Sequence, residues 1–147
     1  MDIASQACEL CSSPGGTLLW ESPVLRIVRV ADPDYLGFCR VIWTAHVREM
    51  SDLDSAQRGE LMSAVVACEQ VIRRLFEPDK INLASFGNVV PHVHWHVIPR
   101  WHDDRHFPNP VWGESRREGR RDRALVSDEV LAKALVAEMQ AIGSESP

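Results

Sequence analysis

Three histidines at two-residue spacing carry the most obvious chemistry in the chain. The stretch Phe86-Gly-Asn-Val-Val-Pro-His-Val-His-Trp-His-Val-Ile-Pro-Arg100 alternates His92, His94 and His96 with Val93, Trp95 and Val97. A period of two is the period of a β-strand, so one face would carry imidazoles and the other a Val-Trp-Val surface for a core. Trp95 and Val97 favour extended backbone, and Pro91 and Pro99 bracket the run against a helix. Neighbouring imidazoles then stand roughly 7 Å apart along the strand. One phosphate oxygen could not touch all three, but a nucleophile with a helper on each side fits. The plain alternatives are surface decoration, a weak metal patch or an affinity tag. A tag is disfavoured because the run lies mid-chain and interleaves with apolar residues. Four of the six histidines fall within residues 92–102, which favours a site.

Thiols form the second cluster. Cys8-Glu-Leu-Cys11 precedes a Ser-Ser-Pro-Gly-Gly turn at 12–16. Such a pair serves as a redox couple, as half of a zinc site, or as two unrelated core thiols. A redox pair normally opens a helix after a strand, whereas this one leads into a turn and a hairpin, which suits a zinc knuckle. Two sulfurs do not complete a tetrahedral zinc site, so two further ligands are needed. Cys39 and Cys68 fall on apolar positions of a strand and a helix and read as buried core thiols. No phosphate-binding loop, carboxylate dyad or Gly-x-Ser-x-Gly elbow is present.

The run His92-Val-His-Trp-His-Val-Ile98 resembles the signature of the histidine triad (HIT) superfamily of nucleotide hydrolases and transferases, and the resemblance covers most of residues 8–112. It implies an α+β fold, an antiparallel sheet of about five strands with one main helix and a C-terminal helix, commonly paired into a homodimer. It further implies that His94 attacks the α-phosphorus of a nucleotide while His96 binds phosphate oxygens, with no catalytic metal. Cys8, Cys11, His46 and His92 would hold a structural zinc. Asn82 and Asn88 match amide positions that would lie near the imidazoles, and Asp32 is either the ribose ligand or an exposed turn aspartate. Val89 departs from the pattern, standing where relatives carry a hydroxyl that assists the leaving group. The implied activity is hydrolysis of a dinucleoside polyphosphate or a nucleoside phosphoramidate. The alternatives are a nucleotidyl transferase or phosphorylase, or a non-catalytic zinc-stabilised adaptor; the presence of His94 counts against the last.

The elements that must position these residues read as β-β-β-α-β-β-α. Strands are expected at 17–20, 24–30, 38–43 and 80–86, followed by the histidine strand, with Asp32-Pro-Asp-Tyr-Leu-Gly37 as a turn. Ser51-Asp-Leu-Asp-Ser55 supplies N-cap residues for a helix over 55–76, with Leu61, Val65, Cys68, Ile72 and Leu75 on one face and Pro78 beyond its end. Residues 101–113 are too rich in proline, aromatics and charge for a regular element. They read as a lid over the site, a dimer contact or a surface loop. Residues 1–7 and 115–126 read as flexible, and a C-terminal helix is expected over 127–142.

Composition bounds the rest. A chain of 147 residues, 45% hydrophobic, supports one domain spanning 1–147. No apolar run approaches the roughly 18 residues that cross a bilayer, and residues 1–6 lack the basic and apolar regions of a signal peptide. Four cysteines without a disulfide pattern fit a reducing, cytoplasmic compartment. A net charge of −5 disfavours wholesale nucleic-acid binding but not a small phosphorylated ligand.

Overall fold

The computed structural model describes residues 7–145. Five strands, β1 (Thr17–Glu21), β2 (Leu25–Arg29), β3 (Cys39–Trp43), β4 (Lys80–Ala84) and β5 (His94–Arg100), form one antiparallel sheet in the order β1-β2-β3-β5-β4. Helices α2 (Ser55–Phe76) and α3 (Asp128–Glu145) complete the α+β architecture, and a single helical turn, α1 (Glu9–Ser12), precedes β1. The first expected strand gains one residue and the fourth stops at Ala84 instead of Phe86. The C-terminal helix starts at Asp128 and runs to Glu145.

Helix α2 matches its expected span because its ends are locally encoded. The Asp54 side chain accepts from the Gln57 amide while Gln57 reaches back to the Asp54 amide, a reciprocal cap. At the other end Glu77 turns left-handed with φ of 47°, and its amide bonds back to the Arg73 carbonyl ahead of Pro78. The buried face of α2 packs onto β3 and β5, while α3 packs onto α2 and β1. Val71, although off the expected stripe, is fully buried.

The helix-covered face of the sheet carries Leu25, Ile27, Cys39, Val41, Trp43 and Val97. Strand alternation puts Arg40, His94, His96, Ile98, Arg100 and Asn82 on the opposite face. Cys39 and Cys68 are both buried free thiols in the core. The hydrogen bond to Cys39 and burial raise the Cys68 pKa, which disfavours its thiolate.

Candidate active site and metal centre

The histidine run divides where its first member leaves the strand. His92 precedes β5, its amide bonded to the Val90 carbonyl in a tight turn at 2.8 Å. Its ring therefore points to the end of the sheet, while His94 and His96 remain on the open face. The expectation of three imidazoles on one strand face holds for two of them. The diverted ring has another task.

His92 lies with Cys8, Cys11 and His46, and the four ligand atoms all fall within 4.8 Å of one another. Zinc bonds of about 2.3 Å to sulfur and about 2.0 Å to nitrogen, at tetrahedral angles, place adjacent sulfur and nitrogen ligands about 3.5 Å apart. The observed separations are 3.5 Å from His92 Nδ1 to each sulfur and 3.3 Å from His46 Nδ1 to Cys11 Sγ. The His92 Nε2–H donates to the Trp43 carbonyl at 2.5 Å, which leaves the Nδ1 lone pair for a metal. Donor set, spacing and tautomer all fit a closed Cys2His2 zinc centre.

One step along the chain, the His94 Nδ1–H donates to the carbonyl of His92 at 2.6 Å. That bond selects the tautomer with an unprotonated Nε2, the form a nucleophile needs. Burial lowers the His94 pKa, opposed by this bond to His92 and reinforced by the charge of Arg40. His96 is lowered further, to about 4, first by burial and then by His94 and Arg40. Both rings are neutral near pH 7. His96 Nδ1 is buried without a partner among the described residues. A bare acceptor is cheaper than a bare buried N–H, so the favoured tautomer carries its proton on Nε2.

His94 and His96 line a cavity of about 490 Å³ with Arg40, Asn88, Phe86 and Trp112, closed on one side by Glu9 and Leu10 of α1. Cys8 and Cys11 flank those two α1 residues, so the Cys2His2 cluster adjoins one wall of the cavity. Arg26 reinforces the wall by donating to the carbonyls of Leu10, Ser13 and Pro14. Trp112 lies 4.9 Å from His96 and 5.0 Å from Phe86 between ring centroids. Residues 101–113 thus reach the site, one of the three roles weighed for them.

A buried clasp holds that segment in place. The Asp104 carboxylate accepts from Arg100, Tyr35 and the amides of Trp101, His106 and Phe107. Burial pushes its pKa up, but the Arg100 hydrogen bonds and those amides outweigh burial and leave it below the usual value. Residues 115–126 form no regular element, yet Arg117 donates to Asp104 and Phe107 carbonyls, and Arg121 pairs with Asp34. Residues 1–6 lie outside the described residues.

Two expected binding residues stand elsewhere. Asp32 lines a separate cavity of about 360 Å³ with Thr17, Arg29 and Asp128, and its carboxylate accepts from the Asp34 amide in a local turn. Asn82 shares the face of the imidazoles, but its Oδ1 accepts from Arg100 at 2.7 Å, so it braces the clasp and does not line the cavity. Asn88 does line it, and Val89, beside it, is 93% exposed. Sequence reasoning missed Arg40, Phe86 and Trp112. Arg40 left a signal as a charge inside the apolar run Phe38-Cys-Arg-Val-Ile-Trp43, and Trp112 only as part of the segment 101–113 weighed as a lid.

Comparison with known proteins agrees with this fold. The family model described as HIT domain matches residues 15–103. The chain is 32% identical over 89 residues to the asymmetrical bis(5'-nucleosyl)-tetraphosphatase of Schizosaccharomyces pombe, covering 56% of this chain and 49% of that protein. It is 29% identical over 83 residues to the AP-4-A phosphorylase of Mycobacterium tuberculosis, covering 52% and 43%. It thus spans about half the length of the curated relatives it matches. Among solved structures, a histidine triad protein from Bradyrhizobium japonicum superposes with a TM-score of 0.68 at 25% identity, over 85% of this chain and 91% of that one. A Zn-bound histidine triad family protein from Mycobacterium smegmatis shares the fold with a TM-score of 0.60 at 18% identity, over 97% and 99%.

Proposed function

The chain belongs to the HIT domain family, and on that premise we propose that it is a nucleotide phosphohydrolase acting through a covalent nucleotidyl-His94 intermediate. The carrying observation is the His94 Nδ1–H bond to the His92 carbonyl, which reserves Nε2 as a nucleophile beside His96. In the first step the Nε2 lone pair attacks the α-phosphorus, the bond from phosphorus to the leaving group breaks, and that group departs with the electron pair. In the second step water attacks the same phosphorus and the P–Nε2 bond breaks. The lone pair returns to Nε2 and the water proton passes to solvent. His96 donates from Nε2 to the phosphate oxygens on which charge builds. Zinc, when bound by Cys8, Cys11, His46 and His92, supplies a structural clamp. Those ligands hold the α1 wall and orient the His92 carbonyl.

The substrates consistent with this chemistry are dinucleoside polyphosphates and nucleoside phosphoramidates, and the names of the two curated relatives favour the former. The phosphorylase name of one relative supports a second reading, in which inorganic phosphate replaces water as the acceptor. Incubation with both substrate types, with and without phosphate, separates the two. Hydrolysis gives a nucleoside monophosphate regardless of phosphate, whereas phosphorolysis gives a diphosphate only when phosphate is added. Intact-protein mass spectrometry of quenched samples should trap one nucleotidyl adduct per chain. His94→Ala should abolish the adduct and lower turnover by several powers of ten. Activity within about tenfold of wild type would remove His94 as the covalent nucleophile.

A further inference from the structure

Two orphaned polar atoms share one rung of the sheet. Arg40 Nε and His96 Nδ1 are both buried without a hydrogen-bond partner among the described residues. The β3–β5 register sets Arg40 directly opposite His96, and directly opposed side chains have Cβ atoms about 4.5–5.5 Å apart. Both residues line the cavity that holds His94. Arg40 takes part in no ion pair among the described residues, whereas Arg100, Arg105 and Arg121 each hold an aspartate. Its one hydrogen bond runs from Nη1 to the Gly15 carbonyl at 2.9 Å. Support of the neighbouring segment is not its main task, since Arg26 already makes three bonds to residues 10–14. A half-buried guanidinium facing a cavity without a carboxylate partner is a ready receiver for an anion.

We infer that Arg40 binds a second phosphate group of the nucleotide, apart from the one attacked by His94, and makes the cavity selective for multiply phosphorylated nucleotides. This rests on the reading of the cavity as a nucleotide site. The attacked phosphate already has His94 and His96; the Arg40 cation lies on the adjacent strand, opposite His96, and supplies a full positive charge beside them. The second phosphate comes either from the chain beyond the α-phosphate or from the ribose.

Calorimetric titration with AMP, ADP and AMP carrying a second phosphate on the ribose tests the inference without relying on turnover. The wild type should bind at least one doubly phosphorylated nucleotide about tenfold or more tighter than AMP. Gain for ADP assigns the chain, and gain for the ribose-phosphorylated nucleotide assigns the sugar. In Arg40→Gln the gain should collapse, with a clearly smaller loss for AMP than for the doubly phosphorylated nucleotide. Arg40→Lys, which keeps the charge and can still reach the Gly15 carbonyl, should retain part of the gain. Thermal melting confirms that each variant folds. AMP binding without any gain in the wild type would overturn the inference and leave the nucleotide reading standing, as would a gain that survives Arg40→Gln or an equal loss of AMP. Binding of none of the three by the wild type would overturn both.

Discussion

At the residue scale, the decisive feature is that both cavity imidazoles are neutral. For His96 this neutrality links folding to pH. Its pKa is lowered to about 4 by burial, then by His94 and Arg40, whereas an unfolded chain restores about 6.5. Between those values the unfolded chain binds a proton that the folded chain refuses, so stability is full above pH 6.5 and falls as pH drops toward 4. After allowance for solvent screening the loss is roughly 2 kcal/mol. Urea unfolding at pH 7 and pH 4.5 should show the wild type losing more stability than His96→Asn by about that amount. Comparing the two proteins cancels acid effects common to both, such as protonation of the zinc ligands. Equal losses would mean that His96 is solvated in the folded chain.

At the scale of elements, the site depends on pieces with no regular structure of their own. Asp104 is fully buried and its Arg100 partner nearly so, and removing one member of such a pair costs about 3–5 kcal/mol. Asp104→Asn should lower stability by that order in chemical unfolding. It should also reduce the nucleotide affinity of the remaining folded protein, because Trp112 depends on the same clasp. Unchanged affinity would show that Trp112 is placed independently. The Cys2His2 cluster brings α1 beside the turn before β5, and protein purified without an affinity tag should contain one zinc per chain by elemental analysis. Cys11→Ser should lose most of it. A disulfide between Cys8 and Cys11 with no metal would remove the centre. These elements differ in how far the sequence reveals them. Helix α2 is legible because cap, stripe and stop are local signals, and the histidine strand because alternation is periodic. The four residues of α1 carry too little period to read. The clasp joins Tyr35 to Asp104 across 69 positions and so was not accessible to local pattern, whereas the turn that holds Asp32 was.

At the scale of the molecule, the open question is what covers the β4 edge. Helix α3 packs on α2 and β1, at the end of the sheet away from β4. Beside the apolar stripe of α2, Val71 is buried and Met62 packs partly against the core, but Val66 stays 45% exposed. On β4 itself Leu83 is 38% exposed, and the strand carries only Lys80 as a charge. An edge strand presents unpaired amides and carbonyls, and an uncharged edge invites pairing with a second copy. We propose that two chains associate through β4 and the adjoining face of α2 about a two-fold axis, the commonest symmetry of soluble oligomers. Sedimentation at micromolar concentration should give twice the 16.6 kDa chain mass. Leu83→Lys, which adds a charge to the edge, should shift the equilibrium to monomer without changing zinc content. A mass of 16.6 kDa that does not rise with concentration would instead show that the β4 edge is left unpaired.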